Sequence, residues 1–196
     1  STLKQTTISG NAQLDLELNH QFGDKEKTQV NAQVALDKNQ IRWGKNPPGE
    51  LSKGSLLINE QGIKAADITG NFMGGPVSIK TNPSNVNQMD IHADVDSALL
   101  MELLATSEEF NYDFKKNILA GKVGVHGTLL QKSNETLLQL NLDLKSTSIN
   151  LPKPLFKNNG EPLIGNLKLE INSAANAPMT AWDLKLGEFV QSSGQL

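Results

Sequence analysis

Leu138-Gln139-Leu140-Asn141-Leu142-Asp143-Leu144 alternates apolar and polar residues without a break. A β-strand points successive side chains to opposite faces, so this stretch has one face of leucine and one of amide and carboxylate. The same pattern extends along the chain. Leu14, Leu16 and Leu18 alternate with Asp15, Glu17 and Asn19, and Val30, Ala32, Val34 and Leu36 with Asn31, Gln33, Ala35 and Asp37. It recurs in Leu56/Ile58, Val77/Ile79, Ile91/Ala93/Val95, Val123/Val125/Leu129, Leu167/Leu169/Ile171 and Trp182/Leu184/Leu186. Strands with one oily and one wet face are those of antiparallel sheets, and the continuous apolar runs of a doubly buried parallel sheet are missing. The fold class is all-β and antiparallel.

Turn chemistry separates these runs: Gly23-Asp24-Lys25, Asn46-Pro47-Pro48-Gly49, Gln61-Gly62, Gly74-Gly75-Pro76, Asn82-Pro83-Ser84-Asn85 and Asn158-Asn159-Gly160. One short helix is expected near residues 97–106. Asp96 is its N-cap, and Leu99/Leu100 and Leu103/Leu104 form one apolar side at i, i+4 spacing.

The chain has 196 residues, enough for one domain or two small ones. It carries 37% hydrophobic residues, against roughly 45–50% apolar including glycine for an average soluble chain, so its core is modest. Only 5% are aromatic, so what is buried is aliphatic. The net charge of -3 supplies no basic face for a phosphate backbone, which excludes nucleic acid as a partner. With no cysteine, thiol catalysis, disulfides and Cys-based metal sites are excluded. No run approaches the about 20 apolar residues of a membrane helix. The chain opens on Ser1-Thr2-Leu3-Lys4 without a signal-peptide pattern and stops in mid-pattern, and reads as an excised segment of something longer.

The sequence also repeats itself. Gly49-Glu50-Leu51 aligns with Gly160-Glu161-Pro162, and Ile8-Ser9-Gly10 with Leu119-Ala120-Gly121, both at an offset of 111 (160 − 49 and 121 − 10). Val34-Ala35-Leu36-Asp37 aligns with Leu142-Asp143-Leu144-Lys145 at 108 (142 − 34). Two coarse repeats, about 8–80 and 119–190, joined by a strand-helix linker over about 88–118, are the simplest account.

Catalytic patterns are missing. There is no Gly-x-Ser-x-Gly elbow, no His-Glu-x-x-His helix and no Walker-type loop. In Gly70-Asn71-Phe72-Met73-Gly74-Gly75-Pro76 the proline removes a backbone donor and no helix follows, so a tight turn is expected rather than a phosphate cradle. The one polar constellation worth testing is Asp90, His92, Asp94 and Asp96, which share a strand face roughly 6–7 Å apart. A metal there would need further ligands from elsewhere, with His20 and His126 far away in sequence, and the bland reading is a solvated polar face. Neither enzyme activity, a metal nor a cofactor is expected.

What covers the oily face decides function. The strands either close into a sandwich with a dry core, the common case and therefore the general expectation, or curl into a trough lined with aliphatic side chains and open to an apolar ligand. Few aromatics favour acyl chains over sugars or bases, which are held by ring stacking.

Two segments carry a family resemblance. Ile68-Thr69-Gly70-Asn71-Phe72-Met73-Gly74-Gly75-Pro76-Val77-Ser78-Ile79 resembles the "G-x-[apolar]-x-G-G-P-[apolar]" strand pair of the AsmA-like superfamily, in particular its YhdP branch. Asn150-Leu151-Pro152-Lys153-Pro154-Leu155-Phe156-Lys157 with Gly160-Glu161-Pro162-Leu163 resembles that branch's "L-P-x-P-L-x-K-x-x-G-x-P-L" segment. The strand and helix from Ile91 to Leu104, and Leu119-Ala120-Gly121 after it, are similar too, whereas the first copy carries Arg42-Trp43 in place of the Pro/Leu motif. The resemblance implies a very large protein anchored in the inner membrane of Gram-negative bacteria by an N-terminal helix. It implies a long, curled β-sheet across the periplasm with an apolar concave groove. Such proteins are implicated in moving phospholipid between the inner and outer membranes and are similar to eukaryotic bridge-like lipid-transfer proteins.

On that reading this chain is an internal, non-enzymatic groove segment whose partners are phospholipid acyl chains and other segments of the same long chain. Two unequal ends would let the isolated segment form a homodimer that covers exposed oil. The expected lining is Leu14, Leu16, Val34, Ile58, Val123, Val125, Leu140, Leu142, Leu167 and Leu169. The alternative is a closed β-sandwich acting as a structural or protein-interaction module of the cell envelope.

Overall fold

The computed structural model describes residues 6–21, 27–43, 49–59, 62–105, 118–132, 135–172 and 179–195. The expected turns at Gly23-Asp24-Lys25, Asn46-Pro47-Pro48 and Gln61 lie outside the described residues. So do the side chains of Leu103 and Leu104.

Each alternating run forms a strand. The first six are β1 (Thr6–Gln21), β2 (Lys27–Trp43), β3 (Gly49–Asn59), β4 (Gly62–Phe72), β5 (Gly75–Asn82) and β6 (Asn85–Asp96). Helix α1 (Ser97–Ala105) follows, then β7 (Leu119–Lys132), β8 (Glu135–Asp143), β9 (Thr147–Ile149), β10 (Ile164–Asn172), β11 (Met179–Leu186) and β12 (Val190–Gln195). They make one antiparallel sheet in the order β1-β2-β3-β4-β5-β6-β7-β8-β10-β11-β12, with β9 paired to the start of β7. Nearly every strand pairs with its neighbour in sequence, so the described residues form a meander with no second sheet laid on the first. The closed sandwich expected on general grounds does not form. Consecutive antiparallel pairing extends one sheet and provides no crossover to start another layer.

Register keeps the apolar residues in line. Leu14, Val34, Leu56 and Ala66 are cross-strand partners in one row, and Met89, Leu129, Leu138, Leu169 and Trp182 in its continuation. Thr81 links the two halves, its hydroxyl accepting the Ala66 N–H at 2.6 Å. A second row runs Ala12, Leu36, Gly54, Ile68, Ile79, Ile91, Gly127, Leu140, Leu167 and Leu184. Glycines in the second row are filled by neighbours: a Cβ on Gly127 would stand 2.4 Å from Leu140 Cδ2. Leu140 lies over Gly127 and Leu36 over Gly54.

The β1 bulge at Gly10 and the β7 segment at Gly121 share one construction. Gly10 and Gly121 both have positive φ (126° and 119°), a conformation open to glycine. Opposite each, a buried polar side chain clips the residue after the glycine: Asn39 Nδ2 donates to Asn11 O at 3.1 Å, and Thr147 Oγ1 to Lys122 O at 2.7 Å. Met73 and Gly74 (φ 50° and 80°) make the tight β4–β5 turn, and the Asp96 N–H donates to Met73 O at 2.8 Å. Asp96 also caps α1 as expected, its Oδ1 accepting the Ala98 N–H at 2.8 Å.

Gly121 and Gly160 separate strain from collision. Both have positive φ, but a Cβ on Gly121 would sit 2.1 Å from Ser146 O while Gly160 has open space. Gly121→Ala is expected to lose about 3 kcal/mol or more and Gly160→Ala about 1 kcal/mol, read from urea unfolding midpoints. Equal losses would show that backbone strain alone governs both sites.

Candidate functional site

All ten expected lining residues stand on apolar-face positions. Leu14 and Val34 share the first row, with Leu138 and Leu169 further along it. Leu16, Ala32 and Ile58 form the next row on one side, and Val125, Leu142 and Gly165 the next on the other. Leu140 and Leu167 are direct partners in the second row. Accessibility varies along this face. Leu14 and Leu16 are 59% and 54% exposed at the β1 edge, whereas Val123 is 1% exposed. Val123 pairs with buried Val95 beside α1, so it is core and touches no open surface.

The two faces differ in burial. Val34, Leu56, Leu129, Leu138 and Leu169 are half-buried, and Ala66 and Met89 are buried. On the opposite face Gln33, Asp67, His92, His126, Gln139 and Lys168 are exposed. Met89 escaped the sequence reading because Asn85-Val86-Asn87-Gln88 before it breaks the clean alternation. Its place opposite Leu129 was the available signal.

The polar face carries a shallow hollow of about 610 Å³ around Asp90, His92, His126, Gln139, Asn141 and Lys168. The Asp90/His92/Asp94/Asp96 constellation does not converge there. Asp90 accepts from Asn82 Nδ2 and Gln88 Nε2, both at 3.0 Å, and Asp96 is committed to the helix cap. His92 meets His126 across the strands, Nδ1 to Nδ1 at 2.9 Å. Among the described residues no three His, Cys, Asp or Glu side chains are grouped to hold a metal. The ion pairs Lys80–Asp67, Lys132–Glu135 and Lys168–Glu170 are exposed, the class of contact that contributes little.

A second, apolar cavity of about 420 Å³ opens where the strands end. One wall is Met101 of α1, with Ile118 and Leu119 at the start of β7. The other is the strap 150–163, which contributes Leu151, Pro154, Leu155, Phe156, Pro162 and Leu163, and Leu186, Phe189 and Val190 complete it. The prolines cannot join a ladder, so this stretch leaves the sheet and folds over its end. It is tied down by the Ile149–Lys157 backbone pair (2.8 and 3.0 Å), by Asn150 N to Ile118 O (2.8 Å) and by Leu144 N to Leu163 O (2.9 Å).

Lys157 fastens the strap from inside. It is buried, and its ammonium donates to Thr147 O at 2.5 Å, Asn158 O at 3.0 Å and Lys145 O at 3.5 Å. Burial lowers its pKa below the ordinary lysine value, against the opposing pull of Glu161 and Asp143. Glu161 is held below the usual carboxylate range by the side-chain and backbone donors of Asn158.

Lys157→Met is expected to cost about 1–3 kcal/mol, because the buried Thr147 carbonyl loses its ammonium donor. The pH dependence has a definite sign. The folded pKa is below the unfolded one, so the folded chain binds fewer protons between them and this group's contribution to stability rises with pH there. Denaturant titrations of both proteins should show the wild type gaining stability relative to Lys157→Met as pH climbs towards 10.5. A falling difference would mean the carbonyl cage outweighs burial.

No curated protein and no solved structure matches the chain. The family model described as "YhdP protein" matches residues 1–196. Among the described residues one antiparallel sheet with a single short helix stands beside a match over the whole length, and the chain belongs to the YhdP family.

Proposed function

We propose that this chain is a non-enzymatic segment of a lipid conduit, in which the apolar face is a groove carrying phospholipid acyl chains between the inner and outer membranes of a Gram-negative envelope. The carrying observation is a set of aliphatic rows held in register across the sheet, with no second sheet over them among the described residues. Membership of the YhdP family supports a lipid-transport-related role. At about 4.8 Å per strand the eleven strands of the sheet path extend about 50 Å, and the rows run along that length.

Transport on this reading is passive. Acyl chains slide along the rows from strand to strand while headgroups stay in water, each buried CH₂ contributing about 0.8 kcal/mol. Neighbouring strands present similar aliphatic side chains, so a chain leaving one strand regains most of that energy at the next. The segment works in the periplasm as part of an inner-membrane-anchored protein. Among the described residues no helix is long and apolar enough to cross a membrane. The matching clips at Gly10/Asn39 and Gly121/Thr147 favour the two-repeat organisation, since they recur at offsets of 111 (121 − 10) and 108 (147 − 39).

The β1 edge supports a further partner. Leu14, Leu16 and Leu18 are 54–61% exposed beside a row of backbone groups at the sheet margin, an arrangement that invites strand addition. Another segment of the same long chain occupies this edge, and a second copy substitutes for it when the segment is isolated.

Photo-crosslinking p-benzoylphenylalanine replacing Leu142 in the intact protein is expected to capture phospholipid, with little capture from the same group replacing Asp143 on the wet face. Equal yields at both positions, or protein adducts alone, would sink the groove reading. For the edge, sedimentation of the isolated segment should show concentration-dependent association that Leu16→Lys weakens. A monomer at every concentration removes the dimer.

A further inference from the structure

We infer that the strap cavity is a side site that holds one acyl chain of a phospholipid, separate from the open face and branching from it. The inference rests on the conduit reading for the source of the lipid, but its geometry is its own. The cavity of about 420 Å³ is of the size that takes a single small ligand. It adjoins the apolar face at its wall residues Leu186 and Val190, which pair with each other beside Gly165 and Leu142.

The lining selects the chemistry. Apart from Lys157 and Glu161, every described wall residue is aliphatic, proline, methionine or phenylalanine. Both charged groups are already occupied. The Lys157 ammonium is spent on three backbone carbonyls, and the Glu161 carboxylate accepts from Asn158 Nδ2 at 2.9 Å and its N–H at 3.1 Å. A sugar, nucleotide or peptide backbone entering here would lose its water and find no partner, which penalises polar ligands. A hydrocarbon chain loses nothing. Phe156 and Phe189, 47% and 63% exposed, flank the opening as an apolar lip.

The site gives the conduit a place where one chain of a two-chain lipid leaves the sheet rows and lodges beneath the strap. Lodging there slows movement past residues 150–163 without a polar contact. The cage around Lys157 keeps the strap down while the site fills and empties.

The test uses the full-length protein in cells. p-Benzoylphenylalanine replaces Phe189 in one protein and Leu142 in another, each with and without Leu155→Trp, which fills the cavity. Expected is a phospholipid adduct at position 189 that disappears with Leu155→Trp, while the adduct at position 142 persists and shows the variant folded. Should Leu155→Trp fail to accumulate, Leu151→Phe serves as the filler. Capture at 142 with only protein adducts or none at 189 overturns the side site and leaves the groove standing. Capture at 189 that survives filling also overturns it, since the lipid would then touch Phe189 from outside. Capture at 189 but not at 142 supports the side site and removes the open groove. No capture at either position removes both.

Discussion

The structure depends on strand register. Side chains alternate with a period of two, so a slip of one residue in any pair would send that strand's leucines to the wet face and break every row crossing it. The sheet contains irregularities that threaten this, at Ser9/Asn11, Leu51/Lys53, Leu57/Ile58 and Thr81/Asn82. Yet Leu14 still opposes Val34, Leu56 opposes Ala66, and Ile79 opposes Ile91. A clip explains how the disturbance at Ser9/Asn11 is contained. At Gly10 the buried Asn39 donates to the Asn11 carbonyl and holds the bulge in place, and buried Thr147 holds the Lys122 carbonyl beside Gly121 in the same way. Buried polar groups act here as register pins.

Packing is uneven as a consequence. The buried apolar side chains Val95, Val123, Leu144 and Ile149 gather where α1, β9 and the strap meet, while Leu14, Leu16 and Leu18 at the far edge stand open. An open sheet lacks a second layer to bury its face, and the hydrogen-bonded ladder with cross-strand aliphatic pairs has to supply most of the cohesion. The helix and strap add a closed patch at one end. Stability is thus concentrated away from the surface that the proposed function leaves accessible, which agrees with the need for an unobstructed aliphatic path.

Much of this was legible in the sequence because alternation reports side-chain direction directly. The strands, the apolar-face residues and the Asp96 cap follow from residues a few positions apart. Whether the face is closed was not legible, because Leu140 alternates identically under a second sheet or under nothing. The answer lies in the strand order, in which all but β9 follow one another along the sheet. Val123 shows the same limit at residue scale, for its spacing matches that of Val125 and only the adjacent helix makes it core. The polar constellation failed for a related reason. Asp90 and Asp96 share a face, yet Gln88 from the same strand, Asn82 at the end of β5 and the helix cap engage them, partners that alternation does not describe.

Lys157 was the least legible residue, and it bears most on how the strap works. In Lys157-Asn158-Asn159-Gly160 it reads as a solvated turn lysine. Its burial follows from Thr147, Asn158 and Lys145 presenting carbonyls towards one point, a convergence set by β9 and the chain's return past it. An apolar residue there would take the ammonium from those carbonyls, of which Lys145 O keeps the Gly160 N–H at 2.8 Å, and arginine's planar fork is wider than a compact ammonium that donates in three directions. The strap's prolines forbid ladder pairing, so few backbone bonds hold it to the sheet end. A charged donor supplies the anchorage that the missing ladder cannot, and its ammonium is taken up by backbone carbonyls beside the apolar wall of Leu151, Leu155 and Leu163.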